Sequence, residues 1–254
     1  MDSRLLNSKQ VKDIFKGKDL EFRIVPYEFK IGATVSLKDQ HVPKPLTFEN
    51  CYFKELIFDG TRASANLRFV NCRIDRFSLI NSQLHSVEFE HCRLGELEVT
   101  GSQEFYEFRL NSSKCDSLKV TDNPIYKRIH IGCGSFIKKG VVAGNGSIGK
   151  NSFESEIFFC PECFNEMLIT DNCSEILEVG TFGEYANLRI ERNKANMVVF
   201  SNCDPKYSVV SIEHIEPFKK ENSSIEVVNS ELLDNILKPK DLSQYKEVKR
   251  NLGS

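Results

Sequence analysis

The chain has 254 residues, 28% charged and 40% hydrophobic, with a net charge of −2. That length can bury a sizeable core, and the composition is that of a folded chain. The near-zero charge offers no general attraction to nucleic acid or to an anionic membrane, and there is no run of about 18 apolar residues that could enter a bilayer directly. The start, Met1 to Asn7, lacks the apolar core of a secretion signal, and nine cysteines suit a reducing compartment better than a disulfide framework. A cytoplasmic location is expected.

Residues 1–45 read as a cap. Ser8 can cap a helix in which Val11, Ile14 and Phe15 share an apolar face and Gly17 ends the turn. A strand-like run from Leu20 to Val25 follows and stops at Pro26. Such a segment is expected to cover the first coil of what comes next, because an open solenoid end exposes apolar side chains and unpaired strand edges.

From Leu46/Phe48, Cys51/Phe53 and Leu56/Phe58 onward, apolar pairs recur, with one residue inserted before Leu67. Between Leu67 and Val99 the pairs are Leu67/Phe69, Cys72/Ile74, Phe77/Leu79, Ser82/Leu84, Val87/Phe89, Cys92/Leu94 and Leu97/Val99, one every five residues. That period is neither the 3.6 of a helix nor the 2.0 of a flat strand. It fits short strands separated by turns, wound into stacked coils. Cys51, Cys72 and Cys92 lie 21 and 20 residues apart, so they are expected to stack as small apolar residues on one interior face.

Beyond Val99 the apolar beat coarsens to ten or eleven residues, through Phe108/Leu110, Leu118/Val120 and Ile129/Ile131, as if half of the pentads had become loops. Residues 132–150 are rich in glycine and read as irregular turns. The beat returns at Met167/Ile169, Leu177/Val179, Leu188/Ile190 and Val198/Phe200, carrying the solenoid over residues 46–228. Cys173 and Cys203 are 30 residues apart, which leaves open larger coils or a change of face. Residues 229–254 read as helical: one helix from Glu231 to Leu237, halted before Pro239, and a second from Asp241 or Ser243 carrying Tyr245, Val248 and Leu252 on one side.

The fold class is therefore all-β, a β-solenoid with a short N-terminal cap and C-terminal helices. The run from Leu46 to Phe58 and the beat from Leu67 to Val99 resemble the pentapeptide-repeat proteins, in which a central Phe or Leu faces inward with a small residue two positions earlier. Cys72/Ile74, Ser82/Leu84 and Cys92/Leu94 match that pattern; Phe77, Val87 and Leu97 fill the small position with large side chains. The resemblance implies a right-handed parallel β-helix with four-sided coils more than an activity. Some members mimic DNA and block DNA gyrase through a strongly acidic face, but residues 46–128 here hold twelve Asp or Glu and eleven Lys or Arg. Such a surface falls far below the charge density of duplex DNA, about one per 1.7 Å of axis.

Four residues have metal-ligand spacing. Cys160-Pro-Glu-Cys163 can close two thiolates on a zinc ion, and His130 with Cys133, at the same gap, can complete the set. The run Gly144 to Lys150 approximates a phosphate-cradling loop, but Asn151 stands where a magnesium-holding Ser or Thr belongs, so a glycine turn is expected. Glu88, Glu90, Glu96 and Glu98 cluster in sequence as the carboxylates of a polysaccharide-cleaving β-helix would; their alternation with apolar residues places them outside, where Arg73, Arg76 and Arg93 can neutralise them. No catalytic residues emerge. The expected role is a non-enzymatic scaffold or protein-protein interaction module, with a protein partner or self-association through a solenoid face or the terminal helices. The alternatives are a recognition domain of a larger, membrane-attached or defence-related protein, and a carbohydrate-active enzyme.

Overall fold

The computed structural model describes residues 8–17, 24–25, 30–102, 104–124, 126–132, 134–146, 155–180, 187–201, 209–217, 223–228 and 239–251. Over these residues the chain winds into a parallel β-solenoid of about 8 turns. Each full coil gives one strand to each of two sheets, which among the described residues hold 12 and 9 strands. Sheet I includes Arg62–Val70, Gln83–Glu90, Glu104–Asn111, Tyr126–Ile131, Glu156–Phe159, Cys173–Gly180, Lys194–Ser201 and Ser224–Val228. Sheet II includes Lys30–Lys38, Tyr52–Asp59, Arg73–Ile80, Arg93–Thr100, Lys114–Thr121, Phe136–Ala143 and Cys163–Thr170. Among the described residues no helix is long and apolar enough to cross a membrane.

All fourteen residues of the seven pairs between Leu67 and Val99 are buried. Within Arg73–Ile80 the buried residues are Ile74, Phe77, Ser78 and Leu79, so Asp75 and Arg76 face outward in succession and the strand bends between them. Each eight-residue strand, together with the corner residue before it, thus carries two inward pairs, and alternate steps of two and three residues produce the five-residue period. Inside, Phe69 stacks between Phe48 and Phe89, with ring centroids at 5.5 and 5.2 Å and interplanar angles of 11°. The added residue before Leu67 is a register shift between Ala63 and Asn66.

Strands are joined at sharp corners with a shared chemistry. Asn50, Asn71, Asn81, His91, Ser112, Asp122, Asp171 and Arg192 have φ between 46° and 58°. Each is followed by a small buried residue: Cys51, Cys72, Ser82, Cys92, Ser113, Asn123, Asn172 or Asn193. Asn and Asp tolerate the left-handed region better than most residues, and the small successor turns inward where the coil is tightest. In one corner column Cys72 and Cys92 direct their thiols at the carbonyls of Phe48 and Phe69, both at 3.3 Å. In the other, Asn123, Asn145, Asn172 and Asn193 form a buried amide ladder, with Nδ2-to-Oδ1 distances of 2.8, 2.9 and 3.0 Å.

That ladder corrects the expectation that half of the later pentads become loops. Ser113, Asn123, Ser135 and Asn145 occupy inward corner positions and are buried, but they are polar and so invisible to a hydrophobic pattern. The glycine-rich stretch also holds a regular strand: Phe136–Ala143 pairs in register with Lys114–Thr121. Gly140 gives room to its neighbour there: a Cβ would lie 2.3 Å from the Met167 sulfur, so a larger residue would force that buried side chain to shift. Coil size stays near 21 residues, as in Leu177↔Val198 and Met167↔Leu188, and a few steps are longer, as in Gly140↔Met167. Cys173 follows Asn172, which takes the inward corner position, so Cys173 does not continue the cysteine column; Cys203 lies outside the described residues.

At the N-terminal end the helix Ser8–Phe15 buries Val11, Ile14 and Phe15, and the Phe15 ring meets Phe48 and Phe58 at 5.2 and 5.3 Å. Of the strand-like run before Pro26, Ile24–Val25 is a strand; residues 20–23 lie outside the described ones. The coils start earlier than Leu46, since Lys30–Lys38 already pairs with Tyr52–Asp59. At the other end, Glu231 to Leu237 lies outside the described residues. The second expected helix is replaced by a short helix, Pro239–Leu242, and a strand, Glu247–Asn251, which extends sheet I beside Ser224–Val228. Tyr245 explains the change: it is buried, and its hydroxyl donates to the Ala195 carbonyl at 3.1 Å, tying this segment to the last coils. Tertiary pairing overrides the helical spacing.

Candidate interaction face

Three of the four expected zinc ligands, His130, Cys160 and Cys163, are described, and among the described residues no three His, Cys, Asp or Glu side chains gather as a metal site. Cys160 is buried just after the sheet I strand Glu156–Phe159, and its amide donates to the Ile131 carbonyl at 2.8 Å. Half-buried Cys163 begins a strand of sheet II, across the corner. The His130 ring stacks on Phe158 at 4.5 Å, and burial, aided by Arg109, holds its pKa below the usual imidazole value. Cys133 lies outside the described residues.

The described part of the glycine motif is a coil corner. Gly144 and Gly146 have φ of 64° and 80°, and Asn145 between them is a rung of the amide ladder. The amides of Gly144, Asn145 and Gly146 donate to Thr170 O, Asn172 Oδ1 and Asn123 O at 3.1, 3.1 and 2.8 Å. A phosphate would find those three donors already used. Residues 147–150, with Lys150, lie outside the described ones.

The four glutamates do not form a cluster. Glu88 and Glu90 are on sheet I, Glu96 and Glu98 on sheet II. Their partners differ in part from those expected. Arg68 pairs with Glu88 at 3.3 Å and with Glu90, Lys119 pairs with Glu98 at 2.8 Å, and only Arg76 fills its expected role, 3.6 Å from Glu96.

The outer face of sheet I changes character along the solenoid axis. Its N-terminal half is a charge ladder: besides the Arg68 pairs, Arg109 lies 2.7 Å from Glu107, and Arg128 bridges Glu107 at 3.4 Å and Glu156 at 2.9 Å. Each of these carboxylates is neutralised by a cation on its own strand or the next coil. Beyond Glu156 the outward positions become apolar: Phe158, Ile176, Met197 and Val199. Met197 is 43% exposed, and it pairs in register with Ile176.

Glu178 stands in the middle of this patch, in register with Phe158 on one side and Val199 on the other. Among the described residues it has no hydrogen-bond or ion-pair partner. Burial against the apolar neighbours raises its pKa, and the charge of Glu156 adds to the shift. A half-buried, unpaired carboxylate among apolar side chains is costly in a free surface.

No family profile, curated protein or solved structure matches the chain. The assignment of this face therefore rests on its geometry. Its signal is present in the sequence: Ile176 and Glu178 flank Leu177, and Met197 and Val199 flank Val198, so apolar residues stand at positions that the inward beat assigns to solvent.

Proposed function

We propose that the protein is a non-enzymatic β-solenoid scaffold, pentapeptide-repeat-like in its coil, that binds a protein partner through the outer face of sheet I. The observation that carries the reading is unpaired Glu178 within Phe158, Ile176, Met197 and Val199, next to a ladder whose other carboxylates are paired. Interface cores favour aromatic residues, Met and few charges, and specificity comes from charges that need a complement. The partner is a segment presenting Lys or Arg among apolar residues. Stacked coils keep the face stiff, so little ordering cost falls on this side of the complex. The inward pairs at five-residue intervals support the pentapeptide-like coil, and placement of Glu88 and Glu96 on opposite sheets weighs against a carboxylate-bearing catalytic groove. The thiols of Cys72, Cys92 and Cys115, which donate to backbone carbonyls, accord with a reducing compartment.

Affinity capture with the full chain tests the reading by comparing wild type with Glu178→Lys and Met197→Asp. A partner held by wild type and lost from both variants is the expected result. Equal recovery by all three proteins places binding elsewhere.

A further inference from the structure

Along the first outward column of sheet II, Tyr52, Arg73, Arg93, Lys114 and Phe136 follow one another in register. Three cations therefore stand one above the next at the ladder spacing of parallel strands, about 4.8 Å. Like charges opposite one another destabilise a sheet. Arg73 is offset: its guanidinium reaches Asp75 at 3.1 Å and lies 5.3 Å over the Tyr52 ring. Arg93 and Lys114 are exposed, and among the described residues their side chains have no hydrogen-bond or ion-pair partner. This contrasts with Lys119 and Lys139 on the same sheet, which reach Glu98 at 2.8 Å and Glu166 at 3.1 Å. The uncompensated pair continues into Phe136, one of the large hydrophobics that stay exposed.

We propose that Arg93 and Lys114 form an anion-binding ladder for a short acidic segment of a protein, bound across the corner beside Phe136. This site lies on the opposite sheet from Glu178 and does not depend on that face. Two carboxylates on one side of a helix, three or four residues apart, sit about 5–6 Å from each other, close to the cation spacing. A nucleic acid fits less well. Tight phosphate-backbone binding uses about 6–10 contacts, whereas this column offers two free cations and is bordered by Asp75, Glu96 and Asp116. The unpaired ladder is a stability cost relieved when the ligand arrives.

The test uses the full chain with three probes: a helical peptide with glutamates spaced i, i+4, its glutamine counterpart, and an oligothymidylate. Binding is read from the Arg93 side-chain NMR resonance and from the thermal midpoint. The glutamate peptide should shift both, more weakly as salt is raised, and each of Arg93→Gln and Lys114→Gln should lower its affinity on the order of fivefold. Both variants should melt at or above the wild-type temperature without peptide, and Lys240→Gln should bind as wild type. Equal binding of the glutamine peptide, unchanged affinity in the double variant, or tighter binding of the oligothymidylate overturns the proposal.

Discussion

Asn145 and Asn172 are 27 residues apart, yet they are adjacent rungs: Nδ2 and the backbone amide of Asn145 both donate to Asn172 Oδ1, at 2.9 and 3.1 Å. The longer step between them leaves the corner column intact. Asn172 in turn donates to the Val142 carbonyl at 2.9 Å and to Asn193 Oδ1 at 3.0 Å. Asn172→Ala removes one acceptor and one donor and strands buried groups on both sides. It should cost on the order of 3 kcal/mol in chemical denaturation, and a loss below about 1 kcal/mol would show that the ladder is not a stabilising element.

Phe69 stacks on Phe48 and Phe89, and meets Phe53 and Phe77 edge-on at 6.0 and 5.7 Å. Phe69→Ala should destabilise by about 3–5 kcal/mol. Its neighbour Arg68 holds only surface ion pairs, so Arg68→Ala should stay within about 1 kcal/mol. The two substitutions, measured side by side, separate interior packing from the outer charge ladder.

The thiols of Cys72, Cys92 and Cys115 should be unreactive in the folded protein. Cys72 is pushed up to about 12, first by hydrogen bonding with Cys51 and then by burial, and Cys115 is pushed up to about 12 by burial. Cys92 is raised further, through its hydrogen bond with Cys72 and burial. Iodoacetamide at neutral pH, read by mass spectrometry, should label half-buried Cys163 in the native state and Cys72, Cys92 and Cys115 only after unfolding.

Glu178 gives a pH dependence of defined sign. Its folded pKa is raised, so the folded state holds the proton more tightly than the unfolded state, and stability falls as pH rises through that value. Glu178→Gln should therefore be more stable than wild type at neutral pH, and the gap should close as pH falls and the carboxyl protonates. Melting curves across that window check it. A gap that widens on acidification would mean that the carboxylate stabilises the fold.

His130 acts in the acid direction, again chiefly through burial. Its pKa is held down by burial and by Arg109, so the unfolded chain takes up the proton first as pH falls through the ordinary imidazole range. His130→Phe should flatten this part of the stability profile.

The inward pairs of Leu67–Val99 and the apolar face of the N-terminal helix were legible because large apolar residues write their burial directly into the sequence. The later corners were not, since buried Asn145 bonds Asn172 and Ser113 accepts from the Cys92 amide, partners in neighbouring coils that no local pattern contains. Tyr245 and Val248 read as one side of a helix because their spacing is helical, whereas the edge of sheet I and the Ala195 carbonyl decide their conformation. The face around Glu178 was hidden for a third reason: Met197 and Val199 look like part of an apolar strand until the inward beat shows which of them point out.

The most direct measurement places a photo-crosslinking residue at Met197 and, separately, at Arg68, on the same sheet face but within the paired ladder. An interaction face centred on Glu178 predicts a crosslinked protein at position 197, attached through a peptide containing Lys or Arg, absent at position 68 and lost with Glu178→Lys. Equal crosslinking at both positions, or crosslinking at 197 that survives Glu178→Lys, would contradict it.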